Sequence, residues 1–238
     1  RRLDGELLSE IDAGGVTQSV SAFRFLEGEE PKVGLHLADR FQDLGAITAR
    51  LHAQARDWKR PDGFQRKRWD FEAMFGPHAL WGDWRAAVLD DAGRTVLERL
   101  QVTLERRLAD YGAGPERFGL IHGDLRLANL LDDGARLAVI DFDDCGFGWF
   151  AYDFAAAISF HEDDPAIPDL QAAWLDGYRT ISSFEEEAEA MLPTMIMARR
   201  LLLTAWLASR AGNDTDAEHG EGFAEGTVRL AERYLAGG

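Results

Sequence analysis

Between residues 120 and 131 the chain reads LIHGDLRLANLL, an apolar run interrupted by His122, Asp124, Arg126 and Asn129. Shortly after it, VIDFDD adds Asp141 and Asp143. Polar side chains at fixed places in segments that otherwise favour burial need a reason. Carboxylates and an amide oxygen are hard donors suited to magnesium, which takes one or two protein carboxylates and completes its shell with water and substrate phosphates. A loop carboxylate left free beside such a cation can orient a hydroxyl and accept its proton, the division of labour that phosphoryl transfer requires.

These residues need a scaffold that brings two loops together. ANLL and RLAVID are short apolar runs joined by DDGA, and Asp133-Gly134 is a strong tight-hairpin signal. The polar set thus precedes one hairpin strand, DFDD follows the other, and the turn returns Asp141 toward Asp124 and Asn129. Upstream, Phe41, Leu44, Ile47, Leu51, Ala55 and Trp58 recur at helical spacing, as do Leu97, Leu100, Leu104, Leu108 and Tyr111 before Gly112. GELLSEI (5–11) and VTQSVSAFRFL (16–26), separated by DAGG, predict a two-stranded hairpin. From Tyr152 to Leu235 the pattern is helical, with Pro193 in or near a first turn, and AGNDTDAEHGEG (211–222) is the one linker-like stretch.

Composition narrows the partners. The formal charge of −16 opposes phosphate backbones and no basic stripe offsets it, so nucleic acid is excluded as the expected partner. The arginine-rich WKRPDGFQRKRWD (58–70) reads as a solvated loop, with a small phosphorylated ligand as the alternative. The longest apolar stretch, MIMARRLLLTAWLAS, falls short of the roughly 20 residues of a spanning helix and is split by Arg199 and Arg200, so no membrane segment is expected. With one cysteine, Cys145, no internal disulfide is possible, no zinc spacing occurs, and the cytoplasm is the default compartment.

HGDxxxxN followed by IDFDD resembles the catalytic and metal-binding loops of the aminoglycoside phosphotransferase and choline kinase-like family, a branch of the protein-kinase-like fold. VSAFRFLEGEEP resembles that family's last N-lobe strand and hinge, LGAITARLHA the helix after it, and VIDFDDCGFGWFAYDFA the metal loop with its following helix. The resemblance implies an α+β, protein-kinase-like fold: a mostly helical C-lobe (28–238) with a catalytic β-hairpin, plus a two-strand remnant of the N-lobe sheet and the hinge (1–27). It implies ATP and Mg2+ as cofactors and γ-phosphoryl transfer to the hydroxyl of a small-molecule acceptor, whether aminoglycoside, choline-like or homoserine-like. A protein serine or threonine is a further alternative.

By motif position, the resemblance makes Asp124 the catalytic base or hydroxyl-orienting carboxylate, and Asn129 and Asp141 magnesium ligands. Asp143, in the second acidic position, acts through water or binds substrate; Arg126 neutralises phosphate charge or pairs with Asp143. His122 braces the loop, Asp153 anchors loop backbone N–H groups, and the backbone at Phe25, Leu26 and Glu27 receives adenine. The family's phosphate-covering glycine loop and its lysine have no counterpart here, since no lysine precedes Lys32 and DAGG reads as a turn. The expectation is therefore a chain that begins partway through an N-lobe, and a non-catalytic ligand-binding or regulatory protein is the competing reading.

Other chemistries fit less well. Asp141, Asp143 and Gly146 match the start of a calcium loop, but Tyr152 stands where a bidentate glutamate is needed. Cys145 lacks any patterned base and reads as a packed thiol. GFG (146–148) reads as a flexible turn, HEDD (161–164) as an exposed helix-ending loop, and the Trp and Phe side chains between 58 and 84 as packing or as a pocket lining.

Overall fold

The computed structural model describes residues 8–32, 34, 36–210 and 220–237. Strands β1 (Ser9–Asp12) and β2 (Thr17–Val20) pair antiparallel, and the DAGG turn between them is closed by the Gly15 N–H on Asp12 Oδ1 at 2.8 Å. The second strand is shorter than its apolar pattern predicts. Among the described residues 21–28 belong to no strand, and Phe23 and Phe25 are 89% and 86% exposed: alternation alone does not make a strand without a paired edge. Residues 5–7 of the predicted first strand lie outside the described residues.

Helix α1 (Leu37–Asp57) follows the predicted spacing and buries Phe41, Leu44, Thr48, Ala49 and His52. Then come β3 (Arg68–Trp69), α2 (Phe71–Phe75), capped by Asp70, and α3 (Asp91–Tyr111). The α3 N-terminus is capped by Asp90, which accepts from the Gly93 N–H at 2.7 Å, and its C-terminus stops at Gly112 with φ 74°, a conformation glycine adopts without strain. Next are β4 (Phe118–Ile121), the hairpin β5 (Leu130–Asp132) and β6 (Leu137–Val139), and β7 (Gly146–Trp149). Helices α4 (Tyr152–Ala157), α5 (Ile167–Arg179), α6 (Glu186–Ala190), α7 (Leu192–Ala208) and α8 (Phe223–Ala236) follow among the described residues, with Pro193 in the first turn of α7 as predicted.

The GFG segment is strand, not turn. It is the middle of a three-stranded sheet, parallel to β3 and antiparallel to β4, with Gly119 opposite Gly148 and Ile121 opposite Gly146. Its glycines serve close approach: a Cβ on Gly146 would sit 2.6 Å from the Lys67 carbonyl, and one on Gly148 2.5 Å from Ile121 Cδ1.

Helices α1 and α5 meet backbone to backbone. A Cβ on Gly45 would lie 2.0 Å from the Trp174 carbonyl oxygen, and one on Gly177 1.8 Å from that of Gln42. This approach brings His52 of α1 beside Tyr178 of α5. Between these helices and α7, the core gathers Phe154, Trp174, Tyr178, Leu201 and Leu202. Because α7 is buried on nearly every side, Arg199 and Arg200 are buried with it and must find partners.

Candidate active site

The hairpin places the polar set as its sequence predicts. Asn129 closes a single 3-10 turn (Leu127–Asn129) ahead of β5, and its side-chain amide donates to Asp124 twice, to the carbonyl oxygen at 2.8 Å and to Oδ2 at 2.9 Å. With its hydrogens so used, the amide offers an acceptor oxygen to anything else. The Ile140 N–H donates to the Asn129 carbonyl at 3.0 Å, which carries the end of β6 back to the loop before β5. Asp141 follows with φ 62°, a left-handed conformation that aspartate tolerates better than most residues and that here falls at the start of the acidic loop. Asp141 and Asp124 line one cavity of about 250 Å³ together with Trp69, Trp81, Asp144 and Arg199.

Asp124 is held from two sides. Arg199, on α7, donates from Nη2 to Oδ1 at 2.5 Å, and Arg126 Nε lies 3.4 Å from Oδ2. Arg126 thus meets Asp124 and not Asp143. Arg199 also donates to Ser159 Oγ at 2.9 Å. Burial opposes its charge, but Tyr152 and the Asp124 carboxylate more than compensate and hold the guanidinium above its ordinary range. In the sequence Arg199 reads only as an interruption of an apolar run. Two arginines inside a helix buried all round were the available signal, because a buried cation demands a counterion. The other, Arg200, takes Glu162 at 2.6 Å, so Glu162 of HEDD is a buried ion-pair partner and not part of an exposed loop.

Behind the loop lies a fully buried relay. Asp153 accepts from the backbone N–H groups of His122 (3.1 Å) and Gly123 (2.8 Å), and its Oδ2 is 3.0 Å from His52 Nε2, whose Nδ1 is 3.0 Å from the Tyr178 hydroxyl. A carboxylate only accepts, so His52 donates from Nε2 and Tyr178 donates to Nδ1. His122 Nε2 reaches the Ile140 carbonyl at 3.1 Å, tying the two loops together. Burial drives the His52 pKa below its ordinary value although Asp153 pulls it up. Burial pushes the Asp153 carboxyl up, but His52 and the backbone donors outweigh it and leave it low. The unfolded chain binds a proton at His52 near pH ~6.5 that the folded chain refuses. Stability present above that pH is therefore lost as pH falls, by at most about 1.4 kcal/mol per pH unit. The Asp153 contribution has the same sign, present above its unfolded value near ~3.9 and lost as pH falls through its lower folded value. Urea unfolding between about pH 7 and about pH 5 should show this decline, and His52→Gln should flatten it; equal slopes in both proteins would contradict the assignment.

A second brace comes from the arginine-rich stretch, which is not a solvated loop throughout. Arg66 donates to the carbonyls of Phe142 (2.9 Å), Asp143 (2.8 Å) and Cys145 (2.6 Å), Lys67 pairs with the Asp144 carboxylate, and Trp69 Nε1 donates to the Asp144 carbonyl at 2.9 Å. Asp143 is exposed and absent from the cavity wall, where its neighbour Asp144 stands instead. Phe25, Leu26 and Glu27 also lie outside that wall and are exposed, but the next residues are fixed: Glu29 exchanges two backbone hydrogen bonds with Asp132 of β5, at 3.0 and 2.8 Å. Cys145 is half-buried, and burial pushes its thiol up, away from the reactive thiolate. Among the described residues no three His, Cys, Asp or Glu side chains gather as a metal cage, and no helix is long and apolar enough to cross a membrane.

Comparison with known proteins adds an independent line. A solved structure of a microcompartment-associated aminopropanol kinase shares 43% identity and superposes with a TM-score of 0.87, covering 99% of this chain and 74% of that one. Amicoumacin kinase of Bacillus subtilis (strain 168) is 25% identical over 173 residues, 68% of this chain and 49% of its own length, so the chain spans about half of that curated relative. The fold is also that of amicoumacin kinase hAmiN, solved in complex with AMP-PNP, Ca2+ and Ami, with a TM-score of 0.72 at 20% identity, covering 95% of this chain and 70% of that one. The family model described as "Phosphotransferase enzyme family" matches residues 5–186, most of the chain and every loop described above. The chain belongs to the phosphotransferase enzyme family.

Proposed function

We propose that this chain carries the acceptor and metal side of an ATP-dependent phosphotransferase that moves the γ-phosphoryl group to a hydroxyl of a compact small molecule. One observation carries the reading: Asp124, fixed by Arg199 and Asn129, faces the same cavity as Asp141. Bound Mg-ATP supplies the transferable phosphoryl group and neutralises its charge. The Asn129 amide oxygen and the Asp141 carboxylate suit that cation as a partial oxygen set, of the kind magnesium completes with phosphates and water. Asp143 is assigned to the same cation through water, from the exposed side of the loop.

The protein's own residues do the rest by placement. Asp124 accepts a hydrogen bond from the acceptor hydroxyl and aligns its oxygen, Arg199 holds that carboxylate in one orientation, and Arg126 adds positive charge beside it. His122 and Asp153 keep the loop in register. The segment through Glu27 would lie along the adenine, with residues 28–238 as the helical lobe, and the Glu29–Asp132 bridge supports that by tying it to the catalytic hairpin. The cavity is smaller than the ~300–1,000 Å³ of pockets for drug-sized ligands, which favours a compact acceptor over an aminoglycoside. The aminopropanol kinase relative points the same way.

Isothermal titration with a non-hydrolysable ATP analogue, with and without magnesium, tests the reading. The expected result is magnesium-dependent binding that Asp141→Asn weakens about tenfold or more. Equal affinity in the variant and the parent would refute the placement of the metal.

A further inference from the structure

The cavity beside Asp124 extends to a carboxylate that phosphoryl transfer leaves unused. Asp144 shares the wall with Trp69 and Trp81, whose rings stack with centroids 4.0 Å apart and planes 25° from parallel. The Lys67 ammonium is paired with the Asp144 carboxylate and lies 6.0 Å from the centre of the Trp81 ring. The chain thus displays, with its own side chain, an alkylammonium between a carboxylate and an indole face. The two cations of this wall, Arg126 and Arg199, are taken by Asp124, and Lys67 reaches Asp144 from outside the wall. Lys67 and Asp144 side chains remain 33% and 36% exposed, and an ion pair at that exposure is weak enough for a soluble ammonium to exchange into.

We propose that Asp144, backed by the Trp69–Trp81 stack, is the subsite for the ammonium group of an amino-alcohol acceptor, and that Lys67 occupies it until the acceptor arrives. The inference rests on the phosphotransfer reading and deepens it: the hydroxyl end lies at Asp124 and the ammonium end at Asp144. A carboxylate binds a primary ammonium through N–H donors that a trimethylammonium lacks, so the subsite favours primary amines over choline-like ones. Leu202, Leu203 and Trp206 supply an apolar wall for the carbon skeleton.

The test is calorimetric titration of the protein with aminopropanol, the matching propanediol and the trimethylammonium analogue. The parent should prefer aminopropanol by about tenfold or more over both. Asp144→Asn should lose that preference, whereas Lys67→Met, which frees the subsite, should keep or increase it. The proposal is overturned by a parent without preference, by an unchanged preference in Asp144→Asn, or by its equal loss in Lys67→Met, which would make the pair only a loop brace. Binding is read without turnover, so the two readings fail separately. A clear ammonium preference with no phosphorylated product would sink the phosphotransfer reading and leave the subsite standing; product formed equally well from the diol would sink the subsite alone.

Discussion

Asp124→Asn should lower kcat by about 10²–10⁴-fold while changing nucleotide affinity little. In the parent, Oδ1 is fixed by Arg199, and Oδ2 receives Asn129 with Arg126 beside it. The asparagine keeps the shape but presents an N–H₂ donor where either Arg199 or the acceptor hydroxyl requires an acceptor. It also leaves the buried Arg199 without its counterion, so the variant should unfold more easily as well. Comparing kcat with the affinity for a nucleotide analogue separates these effects, provided circular dichroism shows the fold intact. A variant with the parent's kcat would remove Asp124 from the chemistry.

The largest effect on stability is expected from Asp153→Ala. Three donors lose their acceptor at once: the N–H groups of His122 and Gly123, and His52 Nε2. All are buried at the meeting of α1, α4 and the loop that follows β4, away from solvent that could replace the lost partner. Breaking such a buried set costs about 3–5 kcal/mol, a large share of the ~5–15 kcal/mol that holds a typical domain together. Denaturant unfolding measures it directly. A loss below about 1 kcal/mol would mean that the relay contributes little, and that the loop is held by the hairpin alone.

The positions of His122, Asp124, Asn129 and Asp141 were legible because they depend on local rules. A tight turn at Asp133-Gly134 fixes which loops face each other, and helical spacing fixes α1 and α3. Arg199 was not legible, because its partner is 75 residues away and only the packing of α7 against the loop brings them together. The same holds for Arg66, which reads as one charge among several until its three carbonyl acceptors are in place. GFG misleads for a different reason: glycine weakens a strand by propensity, yet here the closeness of Lys67 and Ile121 permits nothing larger. Conversely, residues 21–26 carry a strand pattern but form no strand among the described residues, and pattern without pairing does not suffice.

Phosphoryl transfer at Asp124 is tested most directly by incubating the protein with Mg-ATP and aminopropanol and following the phosphorylated product by mass spectrometry, with Asp124→Asn in parallel. Phosphorylated aminopropanol is expected from the parent, in step with ADP, and almost none from the variant. Absence of product from the parent, or equal product from both, would contradict it.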